Sequence, residues 1–165
     1  MTSFADDMRE FQSQLALGRV QAAYQGLMQY MLDLKTHFTK KHPDYSVSGS
    51  LYQGYMDMTY FAIVPETLKQ RGLKIAVVFV YGSFRFEVWL SGCNRQVQAR
   101  YWQLLKDSGW AKYRLVPDPK GFDSILVHPL ADPPDFGDLD ALTAQIEQGT
   151  LAFIQDVEEF LAKAG

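Results

Sequence analysis

Apolar residues at Phe4, Met8, Phe11 and Leu15 are spaced by four, three and four, the step of an amphipathic helix. Gly18 closes that segment. From Arg19 to Lys41 a longer stripe follows, with Val20, Ala23, Tyr24, Leu27, Met28, Met31, Leu34 and Phe38 on one side. Lys35, His37, Lys40, Lys41 and His42 crowd its end, where cations complement the negative pole of a helix, and Pro43 stops it. These two segments predict an αα-hairpin. The period then changes. Tyr45 to Tyr52 and Tyr55 to Val64 have strand composition, and Gln53-Gly54 between them predicts a two-residue hairpin turn. Pro65 to Gly72 reads as one or two helical turns. Leu73 to Val80, LKIAVVFV, is β-branched and apolar on both faces, which predicts a central strand.

After a turn at Tyr81-Gly82-Ser83, the stretch Phe84 to Leu90 alternates with a period of two. Phe84, Phe86, Val88 and Leu90 fall on one face, and Arg85, Glu87 and Trp89 on the other, so one sheet face is expected to be covered and the other at least partly wet. Asn94 is placed to cap a helix whose stripe is Val97, Tyr101, Leu104 and Leu105, and Ser108-Gly109 ends it. Tyr113 to Val116 and Ser124 to His128 predict two more strands, joined by the turn-rich Pro117 to Gly121. A proline- and aspartate-rich connector, Ala131 to Gly137, leads to a final helix from about Leu139 to Ala162, in which Gly149 is a local weakness. The expected architecture is α+β: a largely antiparallel sheet of about six strands, helices mainly on one face, an N-terminal αα-hairpin and a long C-terminal helix. Residues 1–165 read as a single domain, without internal repeat or linker.

The run LKIAVVFVYGSFRFEVWLSGCNRQVQARYWQLLK, with MDMTYFAIVPETLKQRGLK just before it, resembles a family of bacterial proteins carried as a domain of unknown function. F-R-F-E-V-W-L followed by N-R and Y-W is the most specific part. The resemblance covers most of the chain and implies a small bacterial cytosolic protein. It implies no reaction, cofactor or partner.

Composition narrows the function classes. With 47% hydrophobic and 21% charged residues the chain is ordinary globular material. A net charge of −3 gives no reason to expect polyanion binding, so nucleic acid is an unlikely partner class. The acidic N-terminus lacks a basic segment followed by an apolar run, and the longest apolar run, Ile75 to Tyr81, is far too short to span a membrane. Cys93 is the one cysteine, which excludes an intrachain disulfide and fits a reducing cytoplasm.

Candidate chemistry concentrates in the middle of the chain. Arg85, Glu87 and Trp89 point the same way from one strand and can anchor a partner or a charged planar ligand; a cross-strand ion pair shielded by the tryptophan is the plainer account. Asn94 and Arg95 open a helix whose free N–H groups suit an anion, although no phosphate-cradling motif accompanies them and an ordinary cap explains Asn94 as well. Trp102 is expected at the border of its helix stripe, partly exposed, adding to an aromatic section that includes Tyr52, Tyr55, Tyr60 and Trp110. Asp57 and Glu87 on two strands suggest the carboxylates of a metal-dependent nuclease, but the position two after Glu87 holds Trp89 where such enzymes carry lysine. Cys93 has no evident base, and His37 and His42 are five apart, off the spacing that places two ligands on one helical face. Two functions are therefore expected to compete. One is a non-enzymatic binding module, without cofactor, for a protein partner or a small anionic or aromatic ligand, with a homodimer through the open sheet face or an edge strand as one form. The other is a metal-assisted hydrolase or nuclease using Asp57 and Glu87.

Overall fold

The computed structural model describes residues 1–164. Its elements in chain order are α1 (Phe4–Ala16), α2 (Arg19–Lys41), β1 (Ser46–Val47), β2 (Met58–Val64), α3 (Glu66–Lys69), β3 (Leu73–Val80), β4 (Arg85–Gly92), α4 (Arg95–Ser108), β5 (Arg114–Leu115), β6 (Leu126–Ala131) and α5 (Leu139–Ala164). The strands form one antiparallel sheet in the order β1-β2-β3-β4-β6-β5. This is the α+β fold expected, with its N-terminal helix pair and long C-terminal helix.

Register decides what each sheet face carries. Thr59, Phe61 and Ile63 of β2 stand opposite Phe79, Val77 and Ile75 of β3, which stand opposite Phe86, Val88 and Leu90 of β4. All nine are buried, and they form the floor on which α2 and α5 pack. Phe38 of α2 meets Phe61 at a ring separation of 6.0 Å, and Tyr30 meets Phe86 edge-on at 5.9 Å. From α5, Ile146, Phe153, Ile154 and Val157 complete the same core. Gly149 has a reason to be glycine: a Cβ there would stand 2.6 Å from Leu130 Cδ2, so its absence lets the β6 side chain seat against the helix. Glu147 of α5 accepts a 2.7 Å hydrogen bond from His42 Nε2, while His37 Nε2 stands 3.0 Å away but out of line. Burial works against the charged form of Glu147, yet the two histidines outweigh it and hold the carboxyl below its usual range.

The two terminal halves of α5 are held differently. Near its C-terminal half, the Tyr113 hydroxyl donates to Asp156 Oδ2 at 2.5 Å, and Lys112 Nζ lies 3.0 Å from the same oxygen. The Tyr113 bond holds the Asp156 carboxyl low, helped by Lys112 against burial; burial and then Asp156 push the Tyr113 phenol up. A lowered folded-state carboxyl contributes stability that is present above the unfolded value and lost as pH falls through the folded one. A raised phenol contributes stability that is lost as pH rises past about 10. Tyr113→Phe is accordingly expected to cost about 1.5 kcal/mol at neutral pH. It should also flatten both the acid and the alkaline limbs of a stability–pH curve measured by urea unfolding; unchanged limbs would refute the pairing.

Three local expectations change. The first hairpin is not a two-residue turn. Only Ser46–Val47 and a single bridge between Tyr52 and Tyr60 pair with β2; Ser48 still donates its N–H to the Ala62 carbonyl at 2.9 Å, and residues 49–51 leave the ladder. The turn spans Gln53 to Asp57, with Gly54 and Met56 at positive φ (65° and 60°), because the Asp57 carboxylate accepts from the backbone N–H groups of Tyr55 and Met58. Phe84 leaves β4: at φ 54° it is a turn residue, its exposed ring packed edge-on against Phe79. The last strand runs Leu126–Ala131, later than expected, with a bulge opposite the Phe86–Glu87 step. Pro129 is tolerated because the outer strand β5 pairs only as far as Val127.

The N-terminal pair also divides. α2 buries Tyr30, Met31, Leu34 and Phe38, whereas α1 buries no residue. Its amphipathic stripe faces out, with Phe4 80% exposed. No helix among the described residues is long and apolar enough to cross a membrane.

Candidate functional site

The opposite sheet face is organised in rows by the same register. Tyr60, Val78 and Glu87 form one row; Ala62, Ala76 and Trp89 the next; Lys74 and Ser91 lie beyond. On this face Met58, Tyr60, Lys74, Arg85 and Trp89 are half-buried, and Ala76, Val78, Glu87 and Ser91 between them are buried. Alanines at the middle of one row leave a trough between larger neighbours, and Tyr60 and Trp89 stand on strands about 10 Å apart across it.

At the end of the trough, β4 turns into α4. Asn94 caps the helix, its Oδ1 accepting from the Val97 N–H at 2.9 Å. Gly92 donates its N–H to Gln98 Oε1 at 2.7 Å, and a Cβ on Gly92 would stand 2.6 Å from the Gln98 backbone nitrogen. Glycine is required there for the strand to touch the first turn of the helix. The result is a cleft of about 320 Å³ lined by Tyr52, Tyr60, Lys74, Ala76, Trp89, Ser91, the Gly92–Arg95 turn, Gln98 and Asp123. Tyr52 stacks on Tyr60 at 4.9 Å, making one aromatic wall, and Lys74 Nζ lies 5.7 Å from the Tyr60 ring centre. Arg95 is exposed and reaches the 122–123 loop, its Nη1 donating to the Phe122 carbonyl at 3.0 Å and its Nη2 3.7 Å from Asp123. Two cations against one carboxylate leave the cleft with a positive balance.

The predicted residues fall into three groups. Trp89, Asn94 and Arg95 line this cleft together. Arg85 and Glu87 neighbour it but are occupied with one another: Arg85 Nε donates to Glu87 Oε2 at 2.7 Å, Trp89 Nε1 donates to Glu87 Oε1 at 2.8 Å, and Arg85 Nη1 donates to Asp132 at 3.0 Å. Glu87 and then Asp132 raise the Arg85 guanidinium further above its already high value. The carboxylate therefore sets the Trp89 ring edge and keeps its faces available to the trough. Trp102 and Asp57 belong elsewhere. Trp102 is buried, not at an exposed border, its Nε1 donating to the Val116 carbonyl at 2.7 Å to tie α4 to the chain after β5.

Asp57 serves the hairpin turn, and hydrogen bonds from Met58 and then Tyr55 hold its carboxyl low. It is not paired with Glu87. Glu87 is aligned with Tyr60, three residues along and two strands across from Asp57, which puts the two backbones well over 10 Å apart. Among the described residues no group of three or more His, Cys, Asp or Glu side chains is arranged to hold a metal ion. Lys74, Tyr60, Tyr52, Ser91, Gln98 and Asp123 are among the cleft residues that sequence reasoning did not select for binding. Lys74 carried a signal, as the lone charge in LKIAVVFV; Tyr52 and Tyr60 stood out only as part of an aromatic stretch.

An all-antiparallel six-stranded sheet with an N-terminal helix pair and a long C-terminal helix defines an α+β domain. The family described as Domain of unknown function (DUF7000) matches residues 4–161, and the chain belongs to it. No curated protein and no solved structure matches the chain.

Proposed function

We propose that this protein is a binding module, without covalent chemistry of its own, whose sheet-face cleft takes a small planar anion. One observation carries the reading: two aromatic walls, Tyr52–Tyr60 and Trp89, flank an alanine floor with a half-buried lysine at its end. A ring in the trough stacks on those walls, where large half-exposed aromatics contribute most. Its carboxylate or phosphate meets Lys74, with Arg95 and the opening turn of α4 beside it. A volume of about 320 Å³ suits one ring system with one acidic group. The single exposed cysteine supports a reducing, cytoplasmic setting.

The test uses an aromatic carboxylate and a purine mononucleotide as probes, followed by amide and indole N–H chemical shifts. Shifts confined to Trp89, Ser91, Gly92 and Arg95 are expected from at least one probe. Lys74→Ala should weaken that probe's binding by about tenfold or more, the scale of one charge-assisted contact, while Lys112→Ala leaves it unchanged. Probes that leave Trp89 unmoved, or that ignore Lys74→Ala, would remove the proposal.

A further inference from the structure

A second surface, away from that cleft, points to a self-association that the ligand reading does not require. The first half of α2 does not close against the sheet completely. Between it, the β3–β4 turn and the start of α5 runs an apolar groove of about 540 Å³, lined by Val20, Tyr24, Leu27, Phe84, Phe136 and Leu139. Gly26 lies in the groove with nothing within 4 Å of where its Cβ would be. The same chain also carries a partly uncovered apolar helix face: Phe4, Met8 and Phe11 of α1 are 80, 47 and 46% exposed, and no residue of α1 is buried. Separate apolar surfaces of this kind are uncommon on a monomer and mark interaction sites.

α1 is a made helix, not a frayed end. Ser3 and Asp6 form a reciprocal capping box at its start. Its junction with α2 is fixed as well. Leu17 N–H donates to the Gln14 carbonyl, Gly18 N–H to the Leu15 carbonyl, and Gln21 Nε2 reaches back to the same Leu15 carbonyl at 2.8 Å. Gly18 holds the left-handed conformation that sets the angle, φ 77°. Folding α1 back onto its own groove would break that joint, so the joint directs the helix outward to another molecule. The partner that presents a matching groove is a second copy. We propose that two chains pair about a twofold axis, the Phe4/Met8/Phe11 stripe of each α1 seated in the α2–α5 groove of the other.

The area is sufficient. A 13-residue helix is about 20 Å long and about 10 Å across. Burying one face of it on a groove removes several hundred Å² from each surface, and twofold symmetry doubles the sum to more than the roughly 1,200 Å² of a specific interface. Such an isologous exchange closes on itself and leaves no helix stripe over.

Sedimentation equilibrium of the full chain, across a concentration series, tests this directly. A mass of twice 18.8 kDa is expected at micromolar concentration. Phe11→Glu alters an exposed position and leaves the monomer fold intact; Gly26→Glu fills open space in the groove on a helix that glutamate favours over glycine. Each is expected to raise the dimer dissociation constant by about 100-fold or more, the consequence of setting a charge against an apolar seat. Circular dichroism melts of both variants keep loss of pairing separate from loss of fold. A wild-type monomer at every concentration overturns the proposal. So does a dimer that survives Phe11→Glu, or one that survives Gly26→Glu, because either result moves the interface off one of the two surfaces. Probe binding in the sheet-face cleft is read in the same samples, and its presence or absence bears on the ligand reading alone.

Discussion

Arg85→Leu is expected to destabilise the protein by about 3 kcal/mol, the scale of stranding one member of a buried ion pair. Glu87 is 6% exposed, and its two oxygens are held by Arg85 Nε and Trp89 Nε1. Leucine at 85 removes the charged partner and leaves a carboxylate facing apolar Val78 across the ladder, with one indole N–H for support. The reverse change, Glu87→Leu, is expected to cost less, because Arg85 is more exposed and keeps Asp132 at 3.0 Å. Urea unfolding of the two single variants and the double variant measures the asymmetry. Equal losses, or a double variant no better than Arg85→Leu, would show that the carboxylate is not the dependent partner. This separates support from recognition: Arg85 and Glu87 hold Trp89, and their substitutions should appear in stability before they appear in ligand affinity.

Gly92→Ala is the second large effect, expected at about 3 kcal/mol, the upper end of overpacking costs. A Cβ at this position meets the Gln98 backbone nitrogen at 2.6 Å, its Cα at 2.9 Å and the Asn94 carbonyl at 3.1 Å. These are backbone atoms of a capped helix turn, so no rotamer change relieves the contact. The helix start must move off the strand, breaking the Gly92–Gln98 hydrogen bond and opening the mouth of the cleft. Gly82→Ala, where nothing lies within 4 Å, is the control and should stay within about 0.5 kcal/mol of wild type. If both alanine variants unfold at the same urea concentration, the close approach at Gly92 carries no energetic weight.

The element types were readable because each long segment kept a single period. The 3.6-residue stripes of α2 and α5 and the two-residue alternation of β4 each match what packs against what. Boundaries failed where a side chain competed with the ladder. Asp57 drew the backbone of Tyr55 and Met58 into a turn, shortening the first hairpin, and Phe84 gave up strand geometry to reach Phe79. The α1 stripe was correctly periodic, but periodicity says that a face is apolar, not that the same chain covers it. The site was half legible. Trp89, Asn94 and Arg95 could be named because strand alternation and a cap are local. Lys74 and Tyr60 join them only through register between strands, which no spacing along one strand reveals. Asp57 and Glu87 looked alike as carboxylates on strands; the ladder placed them apart.

Both outer strands of the sheet, β1 and β5, are only two residues long. A long straight edge offers a row of free N–H and C=O groups to any passing strand, which is how sheets extend into fibres. Here each border offers a footing of one or two residues before the chain turns away, and two positions beyond the stretch of β6 that β5 pairs stands Pro129. The consequence concerns what this molecule avoids. At the high local concentrations of a crowded cell, its sheet lacks a border on which others can be stacked, and copies of it should stay countable rather than polymerise.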